Sequence, residues 1–337
     1  MSGKTIDKKL LVGTGISLFF LVLLFAKIDF GKVLAAFKTM DYRYLLPVVF
    51  LTFVSYYLRA VRWKYLILPI KHTAMKSLFP ATIIGYMANN ILPARLGEFV
   101  RAYVLGKKED IETSAVFATL VLDRLFDGFT VLLILLITFF SVRLPAGMEN
   151  VQSGLKTGGY ITLGLYGFVL VFLFLLKKRT VYTIHVVGIM LRPFPAKVAE
   201  KTIPLLGSFI SGIRLSSKPA EIIILLLTSF AVWATCIWPL HLILQSFAIS
   251  LPITASMLIM VFLVFAIMVP ASPGYVGTYH AACVYGLMAF NIPMEQSLSV
   301  ALVMHATGFF PVILAGFYYL WRDKISLKKI SESDDKS

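Results

Sequence analysis

The feature that most constrains this fold is a series of apolar runs long enough to cross a lipid bilayer. The hydrocarbon core of a membrane is ~30 Å thick and needs roughly 20 helical residues to span it. We interpret six runs as full spans: 10–26, 44–61, 114–141, 158–176, 222–248 and 298–321. Hydrophobic residues make up 58% of the chain and charged residues only 15%. We therefore predict an all-α, polytopic transmembrane helical bundle and no soluble catalytic domain.

The first apolar run is preceded by Lys4, Lys8 and Lys9, as in a secretory signal peptide. No small-residue cleavage site follows it, because the sequence continues Leu-Phe-Ala-Lys through residue 27. We expect this run to be retained as the first span. One integral membrane domain is predicted over 1–321, with halves at 10–141 and 158–321, and the tail 322–337 is expected to be disordered.

The basic residues are distributed unevenly between the two sides of the predicted bundle. Of the 32 Lys and Arg residues, 25 fall on one side and 6 on the other. Cytoplasmic loops of membrane proteins are enriched in these residues. We therefore expect both termini and the loop 177–218 to be cytoplasmic, in the cytoplasmic (inner) membrane. The net charge of +15 is explained by this asymmetry, and we expect no nucleic-acid partner.

Two further apolar segments are interrupted and fit the charge asymmetry only if each returns to its side of entry. Segment 78–105 breaks near Pro93, and segment 253–290 breaks near Pro270; both breaks contain a Pro-x-x-x-Gly sequence. The predicted break or hinge residues are Pro93, Gly97, Pro270, Pro273, Gly274 and Gly277. Opposed, interrupted segments in two halves are typical of inverted-repeat transporters. Ordinary spans kinked by Pro and Gly are the alternative.

The first break carries ionisable and amide side chains. Arg95, Glu98 and Arg101 follow it, and Asn89 and Asn90 precede it. Backbone N–H groups at a helix start, together with arginine side chains, favour binding of phosphate or another anion. Alternatively, the arginines lie at the cytoplasmic boundary and extend toward lipid headgroups.

A second charged cluster lies about a third of the way into the run 114–141. Asp123 and Asp127 are four residues apart and share a helix face, and Arg124 can pair with Asp127. Two acids and one base at membrane depth indicate a polar cavity, with the acids balancing charge or carrying protons and Arg124 binding phosphate. An internal salt bridge that fixes helix packing is the alternative.

Histidines form a third candidate group. His280 follows the second break, and His305 lies in the last span; Glu295 belongs to the same group, with His241 and Gln245 on the run 222–248. The pair could carry protons, although a lone histidine in a core usually has a packing role. Cys236 and Cys283 lie in apolar stretches and predict neither a disulfide nor a metal site. No cofactor-binding motif is present, so no cofactor and no enzymatic activity are expected.

These motifs resemble the flippase-like membrane region of the lysylphosphatidylglycerol synthase family. The resemblance rests on the sequence from Asn89 to Tyr103, on Asp123-Arg-Leu-Phe-Asp127 and on Pro273-Gly-Tyr-Val-Gly-Thr278. It covers residues from about 10 to 321. The same region occurs in stand-alone membrane proteins of the UPF0104 family and in an archaeal dolichol-linked glycosylation protein.

The resemblance implies an integral membrane protein that handles a polar lipid. In the full-length synthases this region flips an aminoacylated lipid that a separate soluble domain makes, so lysyl transfer is not expected of this chain. The family usually has Glu at the position of His280 and Arg at the position of His305. This difference leaves the driving force and the headgroup open.

We therefore expect a lipid flippase or transporter that moves a phospholipid or glycolipid headgroup through a cavity between the two broken segments. Its partners would be anionic phospholipid or polyprenyl-phosphate lipid, with a lipid-modifying enzyme as a possible protein partner. One alternative is a membrane-embedded component or accessory of polyprenyl-phosphate glycosyl transfer or lipid modification. Another is a secondary transporter for a small anion.

Overall fold

The computed structural model describes residues 22, 28–92, 96–141, 149–191, 196–213, 218–268 and 273–325. In that part of the chain the secondary structure is helical, without a strand, so the all-α prediction is confirmed. The helices are α1 Phe30–Thr39, α2 Leu45–Ile67, α3 Met75–Ile91, α4 Gly97–Glu109, α5 Thr113–Ser141, α6 Glu149–Lys178, α7 Thr180–Met190, α8 Ala196–Gly212, α9 Pro219–Ser246, α10 Ile253–Met268, α11 Thr278–Met288 and α12 Met294–Arg322.

Several predicted features lie outside the described residues. These are the first span apart from Val22, the tail from 326 onward, and three residues of the predicted site and breaks: Pro93, Arg95 and Pro270.

Long apolar helices form the frame of the bundle. Three helical stretches in the described part of the chain are long and apolar enough to cross a membrane: Tyr42–Ile67, Pro219–Ser246 and Met294–Arg322. The helices α5 and α6 contain 29 and 30 residues, or about 44 Å each at 1.5 Å per residue. All five predicted spans within the described residues therefore coincide with long helices.

The interrupted segment 78–105 forms a hairpin of α3 and α4, which we call the first hairpin. Its arms pack together, and both open ends lie at the same end of the bundle. There Lys108 Nζ, near the end of α4, donates to the Lys76 carbonyl at 3.4 Å and to Asp323 Oδ2 at 2.8 Å. Lys71 pairs with Glu109 at the same place. We call this the basic end.

The segment 253–290 forms the second hairpin, made of α10 and α11, and it enters from the opposite end. The turn between α9 and α10 lies beside the start of α12, where Gln296 Nε2 donates to the Phe247 carbonyl at 3.2 Å. The Asp41 N–H donates to the Ser246 carbonyl at 2.9 Å at the same end. Since α11 leads directly into α12, both arms of this hairpin open at this end.

The tips of the two hairpins meet inside the molecule. Gly274, in the 3₁₀ turn Pro273–Tyr275, has a φ angle of 72°, a conformation that glycine adopts without steric cost. A Cβ atom at this position would lie 2.9 Å from the Phe309 ring and 3.5 Å from the Asn90 carbonyl oxygen. The two hairpins thus open toward opposite ends of the bundle, and the end of α3 meets the turn Pro273–Tyr275, as expected of the inverted arrangement.

Each hairpin has its own hydrophobic core. Around the first hairpin, α2, α3, α4 and α5 bury Trp63, Leu78, Val100 and Val116 together. Around the second, α9, α10, α11 and α12 bury other apolar residues, including Leu240, Ile259, Val284 and Leu298. Because apolar side chains in a bilayer gain little from burial against other helices, close packing within each core is the main source of helix association.

The loop 177–218, predicted to be basic with amphipathic pieces, contains α7 and α8, and Gly212 of α8 packs directly against the Ala115 carbonyl of α5. One boundary differs from the predictions. The second span was predicted to end at residue 61, but α2 continues to Ile67. Arg59 and Arg62, which were counted among the cytoplasmic charges, are therefore buried within the bundle. Their pairing with acids on α5 is what makes this burial possible.

Candidate functional site

A fully buried ion pair joins α2 to α5. Arg62 donates from Nε to Asp123 Oδ1 at 2.7 Å and from Nη2 to Asp127 Oδ1 at 2.8 Å. Its remaining Nη1 donates to Ser229 Oγ at 3.2 Å. The Arg62 and Asp123 side chains are 0% exposed. The two acids face Arg62 together because residues four apart stack on one side of a helix, as predicted.

Asp127 is shared among three guanidinium groups. Besides Arg62, it accepts a hydrogen bond from Arg59 Nη1 at 3.1 Å and forms an ion pair with Arg124 Nη1 at 3.1 Å. The predicted pairing of Arg124 with Asp127 is therefore observed. One carboxylate serves three arginines, so it cannot neutralise each of them.

Arg101 is the innermost charge supplied by the first hairpin. Its Nη1 donates to Asp123 Oδ2 at 3.1 Å, and its guanidinium carbon lies 3.9 Å from the centre of the Trp63 ring. Trp63 is held in turn by a 2.9 Å hydrogen bond to Thr119 Oγ1. The Nε and Nη2 atoms of Arg101 are buried without a hydrogen-bond partner among the described residues. The cation–π contact stabilises this charge where acceptors are lacking.

Arg124 and Glu98 form the accessible edge of the site. The Arg124 side chain is 40% exposed; its Nη2 donates to Tyr86 OH at 2.8 Å, and its Nε lies 3.7 Å from Glu98 Oε1. Asn89 Nδ2 donates to Glu98 Oε2 at 3.1 Å, while Asn89 Oδ1 accepts the Gly97 N–H at 2.8 Å. Asn89 thus links the end of α3 to the start of α4 and occupies the Gly97 N–H, one of the helix-start donors predicted to bind an anion.

The charges of this site do not balance. We call the seven residues Arg59, Arg62, Glu98, Arg101, Asp123, Arg124 and Asp127 the ion network; it contains four arginines and three acids. With all groups ionised, its net charge is +1. A positive excess in a region of low dielectric constant is stabilised by an anion that can reach it. Arg124 is the most exposed of its arginines, and an anion that reached its guanidinium would exchange with the present contacts to Asp127, Tyr86 and Glu98.

A cleft of about 260 Å³ lies beside the ion network, between α2, α9, α10 and α12. Its polar part is lined by Arg59, Tyr86 and Trp233, and its apolar part includes Met260 and Leu263. Tyr86 is close to both the cleft and the accessible edge, since its ring centre is 5.4 Å from the Arg59 guanidinium and 5.8 Å from that of Arg124.

The predicted histidine pair is brought together at the second hairpin. His280 Nε2 and His305 Nδ1 are 3.1 Å apart, and the Gly277 N–H donates to His280 Nδ1 at 3.4 Å. The backbone of Gly274 also hydrogen-bonds His305. Since Nδ1 of His280 accepts, a neutral His280 carries its proton on Nε2 and donates it toward His305. We call the hydrogen bonds from Gly277 through His280 to His305 the histidine relay; it joins the second hairpin to the middle of α12.

The other residues considered with the histidines lie elsewhere. Glu295 is 3.8 Å from Lys32 at the end opposite the basic end. His241 contacts Gln245 and Ser256 at 3.3 and 3.4 Å. Both cysteines are free thiols. Among the described residues, no group of three or more His, Cys, Asp or Glu side chains is arranged to hold a metal ion.

Sequence reasoning missed four residues of this site: Arg59, Arg62, Tyr86 and Trp233. The arginines carried a usable signal, because they are three residues apart and the apolar sequence resumes after them as far as Ile67. Residues with this spacing share a helix face. Tyr86 and Trp233 carried no such signal, since an aromatic residue in an apolar helix is usually a packing residue.

Comparison with known proteins agrees with this architecture. The UPF0104 membrane protein of Methanothermobacter thermautotrophicus is 23% identical over 296 residues, which cover 85% of this chain and 87% of the relative. A UPF0104 membrane protein of Methanocaldococcus jannaschii is 22% identical over 319 residues, covering 90% and 91%. The Haloferax volcanii glycosyltransferase AglD is 25% identical over 139 residues, covering 41% of this chain and 22% of that protein.

No solved structure is significantly similar to the chain. The family described as the lysylphosphatidylglycerol synthase TM region matches residues 10–316, a range that contains both hairpins, the ion network and the histidine pair. On this match, the chain belongs to the lysylphosphatidylglycerol synthase TM region family of membrane proteins.

Proposed function

We propose that this protein is a flippase or transporter that moves a lipid with an anionic headgroup across the membrane. The observation that carries the proposal is the excess positive charge of the ion network, which lies where the two hairpin tips meet. Burying three arginines, with a fourth only partly exposed, against three acids costs free energy. A negatively charged headgroup would offset part of that cost whenever it enters.

The headgroup would first contact Arg124 and then pass the hairpin tips while its chains stay in the bilayer. Arg124 is suited to this contact because its side chain is 40% exposed, whereas Arg62 and Arg101 are enclosed by other side chains. Glu98 would compete with the headgroup for Arg124 and so prevent it from binding too tightly. We assign Arg62 and Arg101 to holding the network together.

Flipping can be measured with a fluorescent phosphatidylglycerol in proteoliposomes, using dithionite to quench the outer leaflet. We expect Arg124→Gln to lower the rate at least about tenfold, equivalent to ~1.4 kcal/mol of barrier. Arg124→Lys should restore only part of the rate, because lysine keeps the charge but loses the planar fork.

Arg43→Gln is the matched control for these variants. Arg43 has a 90% exposed side chain and pairs only locally with Asp41, so its replacement should leave the flipping rate unchanged. Equal rates for wild-type protein and Arg124→Gln would contradict the role of the ion network in flipping.

A second function is favoured by the similarity to AglD, whose name describes a glycosyltransferase. In that case the protein would be a membrane component that presents a polyprenyl-phosphate lipid to a partner enzyme. One measurement distinguishes the two functions. A flippase would move lipid in liposomes without other proteins. A protein with the second function would not flip lipid when purified alone, but it would bind polyprenyl phosphate through Arg124.

We further propose that the basic end faces the cytoplasm, with both termini on that side of the cytoplasmic membrane. Arg59, Arg62 and Arg101 belong to the ion network and no longer count toward the charge bias, which leaves twenty-two basic residues against six. Single cysteines at Ser2 and Ser337, introduced into a chain lacking Cys236 and Cys283, should resist an impermeant thiol reagent in intact cells. Labelling of either would reverse this topology.

A further inference from the structure

Among the described residues, the cleft has two hydrogen-bond donors without an oxygen acceptor. Arg59 Nη2 donates to the Cys236 sulfur at 3.6 Å, and a thiol is a weak acceptor. Trp233 is 8% exposed, and its indole N–H is buried without a hydrogen-bond partner among the described residues. The Trp233 ring centre is 5.9 Å from the Arg59 guanidinium, and both side chains line the cleft.

The charge of the cleft is positive. Arg59 lines it, and no Asp or Glu is found among the described residues of its wall. Asp127 forms an ion pair with Arg59 but also with Arg62 and Arg124, and it therefore neutralises the charge of Arg59 only in part. A buried donor without an acceptor costs free energy, and an anionic oxygen would satisfy Arg59 and Trp233 together.

The remainder of the cleft suits hydrocarbon. Met260, Leu263, Val264 and Ile267 of α10 and Met304 of α12 line it. A ligand with a phosphate group and an apolar chain would place the phosphate at Arg59 and the chain along α10. Such a site differs from the accessible edge at Arg124, where Glu98 also contributes a negative charge.

We infer that the cleft is a second anion subsite, which binds the phosphate of a ligand through Arg59 and Trp233 rather than through Arg124. The assignment of that phosphate to a lipid rests on the proposed function. The absence of an acid from the described wall means that the subsite favours a phosphate ester without a cationic group over an aminoacylated headgroup.

Cys236 provides a probe of this subsite. It lines the cleft and is partly exposed, whereas the other thiol, Cys283, is buried and lies outside the cleft wall. Alkylation of the purified full-length chain by N-ethylmaleimide would be followed at Cys236, with unreacted Cys283 confirming that the fold is intact. At ten times its dissociation constant, dioctanoyl phosphatidic acid should slow this alkylation about tenfold by occupying the site.

Two further ligands identify what is bound. Dioctanoylglycerol has the same chains without phosphate and should not protect Cys236; equal protection by it would overturn the anion subsite. Inorganic phosphate distinguishes the source of the anion. Protection by phosphatidic acid alone supports a lipid, whereas equal protection by inorganic phosphate supports the subsite but contradicts the lipid part of the proposed function.

The variant Trp233→Phe tests the indole donor while keeping an aromatic ring. It should raise the concentration of phosphatidic acid needed for protection about tenfold, since a hydrogen bond to a charged acceptor is lost. Trp238→Phe is the matched control, because Trp238 lies on the same helix, is 52% exposed and is not part of the cleft wall. Equal effects of the two variants would overturn the assignment of Trp233.

Failure of this inference can be told apart from failure of the proposed function. If wild-type protein and Trp233→Phe flip phosphatidylglycerol and bind phosphatidic acid alike, the flippase proposal stands and the subsite is wrong. If wild-type protein does not flip lipid but phosphatidic acid still protects Cys236, the subsite stands and the flippase proposal is wrong.

Discussion

The first hairpin is joined to the bundle through the ion network of seven charged side chains, whereas the described residues of the second hairpin are joined to α12 through a pair of histidines. At the first, Arg101 and Glu98 join a network that also fixes α2 and α5. At the second, the connection from His280 to His305 depends on neutral rings. The two hairpins therefore share a re-entrant geometry but are stabilised by different chemistry.

This difference indicates which hairpin can move. Separating the first hairpin from α5 would take Arg101, whose side chain is 3% exposed, away from Asp123, which is strongly unfavourable for a buried charge. Separating the second hairpin from α12 breaks hydrogen bonds between groups that can be neutral, at a lower cost. We therefore expect the second hairpin to move during transport and the first to remain fixed.

The largest expected effect comes from removing one charge of the network. Asp123 accepts hydrogen bonds from Arg62, Arg101 and Arg124, so Asp123→Asn leaves these arginines with one fewer negative charge. We expect a loss of about 3–5 kcal/mol in the free energy of unfolding, measured by SDS titration of the purified protein. Glu200→Gln, which changes an exposed acid on α8, should have almost no effect. A stable Asp123→Asn protein would show that the network is not structural.

A smaller effect is expected from the packing between the arms of the first hairpin. Gly85 of α3 and Gly97 of α4 face each other: a Cβ on Gly85 would lie 2.9 Å from the Gly97 carbonyl, and a Cβ on Gly97 would overlap the Gly85 carbonyl. Gly97→Ala must force the arms apart, and we expect it to cost about 3 kcal/mol in the same titration.

Gly164→Ala is the matched control for Gly97→Ala. Gly164 lies within α6 with open space around it, so alanine should be neutral or should stabilise the protein by up to about 1 kcal/mol. If Gly97→Ala were equally neutral, the arms of the first hairpin would be freer to move than we infer.

Much of the fold could be predicted from the sequence, because length and hydropathy determine membrane-spanning helices locally. The two breaks were predicted from Pro and Gly, and their return to the side of entry from the distribution of Lys and Arg. The end of α2 was misplaced because Arg59 was interpreted as the membrane boundary. A charged residue marks either a boundary or a buried ion pair, and sequence hydropathy alone does not distinguish them.

The candidate site was predicted only in parts. The spacing of Asp123, Arg124 and Asp127 gave their common face, since this depends on one helix. Their connection to Arg62 on α2 and to Arg101 on α4 depends on helix packing across sixty-one and twenty-two residues, which periodicity does not reveal. The same holds for the contact between His280 and His305, because both residues were predicted as candidates but their distance depends on how α11 packs against α12.

The histidine relay should make the second hairpin sensitive to acid. His280 Nδ1 and His305 Nδ1 both accept hydrogen bonds in the relay, so a proton added to either atom would place two N–H groups against each other. We expect acidification to break the relay and to change the flipping rate, while the His305→Gln protein should respond to pH less than the wild type. The expected loss of stability is about 1–3 kcal/mol.

His241→Gln provides the comparison for this measurement, because His241 lies away from the relay and contacts Gln245 and Ser256. Its pH profile of flipping should match that of the wild type. If His305→Gln and His241→Gln have the same profile, the relay does not control the second hairpin, and the proposed contrast between the hairpins is lost.

The smallest expected effect is at the basic end, where Lys108 of the first hairpin pairs with Asp323 just after α12. Burial raises the pKa of Asp323, but hydrogen bonds from Arg322 and Lys108 outweigh it and hold the pKa below its usual value of 3.8. A folded-state pKa below the unfolded one means that the stabilisation is fully present above pH 3.8 and is lost as the pH falls through the folded-state value.

An exposed pair contributes at most about 1 kcal/mol, so Asp323→Asn should lower the free energy of unfolding slightly at pH 7. A double-mutant cycle with Lys108→Met should show a coupling energy that weakens in high salt. A coupling as large as that expected for Asp123 would mean that the first hairpin is fixed at its open end rather than at its tip.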